Sequence, residues 1–534
     1  MKFEFDTTMF QEISMTILLV LFVIVFTIPP LVMLFLYFKD KNQKQHSVLR
    51  NFPLLGRIRY ILEMLGPEFR QYLFDGDSQG KPFSRVDFQH IVVAGKYLKT
   101  LIAFGSKRDF KEPGYYLKNS MFPKLKEEMS VELTPKISTK RYVGTEGLFS
   151  RKERLEEVDV SPWTLMKNDA IVIGPNCKNP WHVKGPLGMS AMSFGSLGGN
   201  AISAMSLGLG KATGSWVHTG EGGLAKYHLV GGGDVIMQIG PGLNGVRDKN
   251  GKFSWESFRD KAANPQITMF ELKLAQGAKI RGGHVEGAKI TPEIAEIRGV
   301  EPWKSVDSPN RHHQFHDVPT LFDFIDKMKE ESGKPIGIKI VMGSASSADE
   351  LIKFMADTGR GPDSITVDGG EGGSGATYQE MADTMGLPVH SGLIYLDNAL
   401  HKYGVRDKVK VFASGKLFSP DRIAIALGMG ADLVNIARGM MISVGCIGAQ
   451  KCHTNTCPVG VATTDPGHQK ALVVDEKQWR VFNYVITLRN GLNSLAGAAG
   501  LTNYTQFNRS HIVYKDGYGK ASLLSELFPY PDSK

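Results

Sequence analysis

Three cysteines on one short stretch are the strongest chemical signal in this chain. Cys446, Cys452 and Cys457 are spaced Cys-x5-Cys-x4-Cys within CIGAQKCHTNTCPVG, and Pro458 follows the last of them. Thiolates are the ligands that iron–sulfur clusters need, and close spacing lets one loop wrap a cluster. A zinc site with His453 as a fourth ligand, or three unrelated thiols, are plainer readings of the same spacing. The fourth cysteine, Cys177 in GPNCKNP, could complete a four-thiolate site. A lone cysteine is more often a small buried hydrophobe, and that is the reading taken.

Glycine-rich loops are the second signal. DGGEGGSGAT begins at Asp368, directly after the apolar run SITV; ASGK ends at Lys416 and IARG ends at Gly439. Backbone N–H groups of such loops can cradle a phosphate, although glycine also serves tight turns. Lysines inside apolar runs are the third signal. Lys273 in ELKLAQGAK and Lys339 in IGIKIVMG must each aim a charge at something, either a ligand or a structural ion pair. Glu221 in TGEGG can handle a proton or simply pair with a lysine. RHHQFH, with His312, His313 and His316, reads as substrate or metal binding or, by spacing alone, as an exposed loop.

The elements that carry these groups have a regular rhythm from about residue 185. The runs WVHTG, DVIMQIG, ITMFELKLA, IGIKIVMG, SITVDGG, VKVFASG and DLVNIARG alternate with helical patterns such as TLFDFIDKMKEES, ADELIKFMADTG and SPDRIAIALGMG. Strand, turn and helix in repetition indicate βα units around a parallel sheet. The fold class expected is α/β, a (β/α)8 TIM barrel, with a doubly wound open sheet as the alternative. The chemically interesting residues fall at the C-terminal ends of the strands, where a barrel builds its active site.

Ahead of the barrel, Ile13 to Phe38 is an almost unbroken apolar run, long enough to cross a bilayer. It is longer than a signal peptide's apolar stretch, and its front carries Glu4, Asp6 and Glu12. Lys39, Lys41, Lys44, Arg50, Arg57 and Arg59 follow it. The excess of positive charge places the C-terminal side in the cytoplasm. A single-pass anchor in the cell membrane with a cytoplasmic catalytic domain is therefore expected. Clustered cysteines agree with a reducing compartment. The expected division is an anchor at 1–40, a connector and small, mostly helical subdomain at 41–180, the barrel with its cysteine loop at 181–505, and a tail at 506–534. The net charge is +9, but no nucleic-acid-binding motif accompanies it, so no nucleic-acid partner is expected.

Taken together and in order, MSAMSFGSL, VHTGEGG, LKLAQGAK, SPNRHH, VDGGEGGSGA and CHTNTCPVGVAT resemble the FMN-binding domain of the glutamate synthase large subunit. The resemblance covers about residues 180 to 500. The front portion, including NFPLLGRIRYILEMLGPEFRQY, resembles stand-alone glutamate synthase-like proteins that carry a membrane segment. This resemblance implies a barrel holding FMN and a 3Fe–4S cluster on Cys446, Cys452 and Cys457. It implies that 2-oxoglutarate and ammonia form an imine that reduced FMN converts to L-glutamate. Ala191, Met192 and Ser193 would border the flavin, and Lys339 would lie near its ring. Gly373, Ser374, Gly375, Ser414, Gly415 and Arg438 would surround the phosphate. Glu221, Lys273 and Lys279 would be the catalytic candidates on the substrate side.

The chain departs from that family in three respects. A membrane segment stands where full-length enzymes have a glutaminase domain, so no glutamine hydrolysis is expected. The C-terminal β-helix domain and a dinucleotide-binding fold are not seen, so electrons would come from ferredoxin or an NAD(P)H-oxidising subunit. The segment after AQGAK reads IRGGH instead of carrying GEGG, which brings in Arg281 and His284 and makes another keto, hydroxy or amino acid a rival substrate. A non-catalytic, membrane-bound electron-transfer subunit is the third reading.

Overall fold

The computed structural model describes residues 7–99, 101, 104–144, 153–277, 279–280 and 282–532. It divides into two compact units, Met1–Asp87 and Phe88–Lys534.

The first unit is helical. Thr7–Phe26 and Ile28–Asn42 follow one another with only Thr27 between, and the most apolar 18-residue window within Phe10–Asn42 has a mean hydropathy of 2.9. None of its most apolar window is buried. A short helix, Ser47–Asn51, leads into Leu55–Phe69 and a further helical turn, Arg70–Phe74.

The second unit is built on eight parallel strands. They are β1 (Leu187–Met189), β2 (Trp216–His218), β3 (Asp234–Ile239), β4 (Ile267–Lys273), β5 (Ile336–Ile340), β6 (Ser364–Asp368), β7 (Lys410–Ser414) and β8 (Leu433–Ile436). Each pairs with the next from β2 through β8, and β8 returns to pair with β1. The ring is nearly closed, with β1 and β2 at its two ends. Across that seam Ser215 Oγ donates to the Leu187 carbonyl at 2.6 Å and the Gly185 N–H to the Gly214 carbonyl at 3.0 Å. The (β/α)8 barrel expected from the strand–helix rhythm is thus the architecture observed.

Helices between the strands start and stop where local chemistry dictates. Val318–Ser332 begins at Asp317, whose carboxylate accepts the Thr320 N–H at 2.9 Å, and ends at Gly333 in the left-handed region. The N-terminal end of the barrel is plugged by Trp216, Ile236, Met269, Phe412 and Leu433. A hairpin, Ile171–Ile173 with Trp181–Val183, covers that plug, and its Trp181 ring meets Trp216 edge-on at 5.7 Å.

Residues expected to form a mostly helical subdomain divide in two. They are helical as far as Tyr97; beyond it lie β-hairpins such as Ile137–Val143 with Arg154–Val160. The alternating β-branched and charged residues of ISTKRYV suit a half-buried hairpin, not a helix. The tail is also integrated, since Ile512–Lys515 pairs with both Gly114–Leu117 and Ala521–Leu523.

The long helix Val474–Ala498 is fastened by Arg489, which is fully buried and has no salt bridge to a carboxylate among the described residues. Its guanidinium donates to the carbonyls of Pro162, Ala212 and Thr213 and to Ser215 Oγ, at 2.7–3.1 Å. Arg489→Met should cost about 3 kcal/mol, because it strands several buried acceptors at once. Urea unfolding should register the loss as a lower midpoint with an unchanged slope.

Candidate active site

The ionisable groups singled out in the sequence converge at the C-terminal end of the strands. Glu221 lies on the turn Gly220–Gly222 after β2; Lys273 ends β4, and Lys279 follows on the next loop. Lys273 Nζ donates to Glu221 Oε1 at 2.7 Å and to Gln276 Oε1 at 2.8 Å. Lys279 Nζ donates to the same Glu221 oxygen. Gln276 in turn donates to the Gly373 carbonyl at 3.1 Å, linking the cluster to the glycine loop after β6.

The charge balance here is unequal. Burial opposes the Glu221 carboxylate, but two ammonium groups hold its pKa far below the usual carboxylate range. One anion cannot fully compensate both cations. Burial, together with Lys279, pushes Lys273 down to about 7 despite its bond to Glu221.

A second polar layer lies deeper in the barrel. Glu271 of β4 is fully buried and accepts from His218 of β2 at 3.1 Å, from Gln238 of β3 at 2.7 Å and from Thr366 of β6. His218 Nδ1 accepts the Gly220 N–H, so Nε2 carries the proton that faces Glu271. Beside this layer Lys339 of β5 pairs with Asp368 of β6 at 3.0 Å, both buried. Burial disfavours the Lys339 charge, yet Asp368 and Glu271 together raise its pKa.

The loop carrying Ala191, Met192 and Ser193 follows β1 and is pinned from behind. His228 Nε2 lies 3.3 Å from the Met192 carbonyl, and burial pushes this imidazole down to about 4, so it is neutral and Nε2 donates. Arg298 donates to the Phe194 carbonyl at 3.1 Å. Lys289 donates to the Ser196 carbonyl at 3.1 Å and, on its other side, to the carbonyl of Cys452 at 2.9 Å. Gly220 sits at φ +60° with its α-carbon against this loop; a Cβ there would lie 2.8 Å from the Ser193 nitrogen. Only glycine meets both conditions.

The late-strand loops bring together groups that could hold an anion. Arg438, at the start of a helix after β8, donates to the Glu371 carbonyl, and a Cβ on Gly373 would lie 3.1 Å from its guanidinium. Ser414 Oγ is 3.3 Å from Ser190 Oγ, and Gly415 follows it. The backbone at Gly373 and Gly375, the Ser374 and Ser414 hydroxyls and the Arg438 guanidinium are groups that could hold a phosphate. Glu371 itself accepts the Val389 N–H at 3.0 Å and occupies the N-terminus of helix Val389–Lys402. A phosphate would therefore rest on the glycine loop and Arg438, not on that helix end.

None of the three loop cysteines, Cys446, Cys452 and Cys457, is in a disulfide. Among the described residues no three such groups gather tightly enough for a single metal ion. A Cβ on Gly375 would lie 3.2 Å from that of Cys452, so the cysteine loop abuts the glycine loop. Cys177 is elsewhere, in the hairpin at the N-terminal end of the strands, with its thiol 3.8 Å from Asp363. Burial pushes that thiol up to about 11.

One rim feature differs from the sequence reading, and a second shows new partners. His312 is not on an exposed loop; it is buried, with Nε2 3.1 Å from the Lys273 carbonyl and its ring stacked on Phe315. His284 faces acids, at 2.9 Å from Asp307 and 3.5 Å from Glu286, so its charge is already engaged. Arg281 lies outside the described residues. Residues 126–502 match the family model described as the conserved region in glutamate synthase. The glutamate synthase large subunit-like protein YerD of Bacillus subtilis is 54% identical over 517 residues, covering 96% of this chain and 98% of that protein. An archaeal glutamate synthase (NADPH) of Methanocaldococcus jannaschii is 29% identical over 62% of this chain and 61% of its own length. The glutamate synthase (NADPH) large chain of Bacillus subtilis is 30% identical over 59% of this chain, which is 20% of that protein.

Proposed function

The chain belongs to the glutamate synthase family, and we propose that it reductively aminates 2-oxoglutarate to L-glutamate with FMN and an iron–sulfur cluster. The observation that carries this reading is the pair of ammonium groups on Glu221 at the mouth of a barrel whose late loops suit a phosphate. FMN, when bound, would supply a hydride to an electron-poor carbon. Gly373, Ser374, Gly375, Ser414, Gly415 and Arg438 would hold its phosphate; Ala191, Met192 and Ser193 would border its ring. Lys339 would place a cation beside that ring, where it favours negative charge on the reduced cofactor.

On the substrate side, Lys279 and Lys273 would bind the keto acid's carboxylates and orient its carbonyl carbon. Lys273 would donate the proton that activates the imine, and Glu221, held as a carboxylate between the two lysines, would keep both in place. Cys446, Cys452 and Cys457 would hold the cluster, of the 3Fe–4S type, through which a ferredoxin or an NAD(P)H-oxidising subunit delivers electrons. We read Phe10–Asn42 as a single membrane span, with the barrel in the cytoplasm because positive charge follows the span.

The test is a half-reaction. Protein reduced anaerobically is mixed with 2-oxoglutarate, with and without ammonium, while flavin absorbance is followed. Reoxidation that needs both, with glutamate appearing, is the expected result. Flavin that stays reduced with both present, but reoxidises with a different keto acid, would move the substrate to that acid. His284, engaged by Asp307 and Glu286, is the observation that favours this second reading. It leaves less positive charge at the rim for a second carboxylate.

A further inference from the structure

The helix Leu55–Phe69 carries an apolar stripe that no described residue of its own unit covers. Leu55, Ile58, Leu62, Leu65 and Phe69 recur at intervals of three and four, and so share one face. Leu55 is 69% exposed, Ile58 54% and Leu62 56%; Gly56 is the one buried residue of this helix. Arg57, Arg59, Glu63 and Glu68 flank the stripe, and exposed Met64 lies across the helix from it. The following turn adds Tyr72, Leu73 and Phe74, all exposed.

This helix is joined to the apolar stretch by a built corner. Asp40, near the end of that stretch, is 2% exposed and takes a bidentate bond from Arg57, with Nε at 2.8 Å and Nη2 at 2.5 Å. Its Oδ2 also accepts the Leu54 N–H at 3.1 Å. Gln43 bridges the carbonyls of Asp40 and His46, and the His46 ring meets Tyr60 at 5.1 Å. A carboxylate this buried persists only because its partners are fixed. Lys39, Lys41, Lys44 and Arg50 are close to Asp40 along the chain and make this segment basic.

We propose that Leu55–Phe74 is an interfacial helix lying in the anionic leaflet into which the membrane span emerges, with its apolar stripe among the acyl chains. The proposal rests on the reading of Phe10–Asn42 as a span. An apolar face beside basic residues, directly after a span, meets three requirements of an in-plane helix: amphipathicity, a nearby bilayer and anionic headgroups to attract. The Asp40–Arg57 pair sets where the chain leaves the bilayer normal. The tether thereby becomes a two-point attachment, one part crossing and one part flat.

The full chain is reconstituted in nanodiscs of phosphatidylglycerol and phosphatidylcholine in which some acyl chains carry a diazirine. After irradiation, labelled peptides are mapped by mass spectrometry. Label is expected in Phe10–Phe38 and also on Ile58, Leu62 and Leu65, with little on Glu63 or Glu68. Ile58→Gln, Leu62→Gln and Leu65→Gln combined should cut labelling of the second region at least ten-fold and leave the first unchanged. Arg57→Met should act in the same direction by releasing the corner. Label confined to Phe10–Phe38 would overturn the in-plane helix and leave the span standing. No label in either region would overturn both. Crosslinks between the 55–69 segments of two copies, without lipid adducts, would assign the stripe to a dimer contact and overturn the proposal.

Discussion

Lys273→Met is expected to lower glutamate formation about 10³-fold while leaving the barrel folded. That loss corresponds to about 4 kcal/mol of transition-state stabilisation. The side chain is buried at the end of β4, bonded to Glu221 and Gln276, and shares Glu221 with Lys279. Removing it leaves Glu221 paired, so no orphaned charge is created and the loss falls on chemistry. Lys273→Arg separates proton donation from charge. Arginine keeps the cation but cannot release a proton near neutral pH, so this variant should also be slow. A merely structural lysine would tolerate it far better.

The pH dependence of the same residue has opposite signs for activity and stability. Lys273 titrates at about 7 in the fold, down from an ordinary 10.5, because of burial and Lys279 beside it. The proton donor is lost as pH rises through about 7, so turnover should fall there. Between about 7 and 10.5 the unfolded chain holds a proton that the folded chain has released. Stability should therefore rise with pH across that window, and Lys273→Met should flatten the rise. Turnover and urea midpoints measured over the same pH series would check both signs. A wild-type rate that climbs through the window would remove Lys273 as the acid.

What was legible in the sequence follows from how local each signal is. Seven of the barrel strands announce themselves as apolar, β-branched runs, six of them ending in glycine, and all seven form. The remaining strand, Leu187–Met189, is three residues long and contains Gly188, whose missing side chain makes room for Trp216. Neither length nor composition marks it. Glu221, Lys273 and Lys339 stood out because a charge in a glycine or apolar run has few innocent explanations. Glu271 sits in the same run as Lys273 and was passed over, since its partners His218, Gln238 and Thr366 come from three other strands. Lys289 and Arg298 belong to an ordinary-looking helical segment, GAKITPEIAEIRG, and their carbonyl acceptors are far away in sequence. Periodicity reports which face is buried, not which distant group a buried charge meets.

Cys452→Ser is expected to abolish most of the bound iron, whereas Cys177→Ser should retain all of it. The contrast is geometric. Cys452 shares one loop with Cys446 and Cys457, and its carbonyl accepts from Lys289, which also holds the Ser196 carbonyl on the loop after β1. A cluster on this loop would stand next to Gly375, on the loop proposed to carry the flavin phosphate. That adjacency is what electron transfer between two centres needs. Cys177 lies at the opposite end of the strands beside Asp363, where no second thiol is near among the described residues. Serine is close in size to cysteine, so neither change should disturb packing, and any loss of iron reports on ligation. Iron per chain, measured after purification without added metal, distinguishes the outcomes. Equal loss in both variants would make Cys177 a ligand and require the two ends of the barrel to communicate. Unchanged iron in Cys452→Ser would remove the cysteine loop as the cluster site. The flavin content of Cys452→Ser should stay near that of the wild type, because Arg438 and the glycine loop are untouched. A variant with flavin but no iron would then accept electrons from a small chemical reductant but not from a protein donor that enters through the cluster.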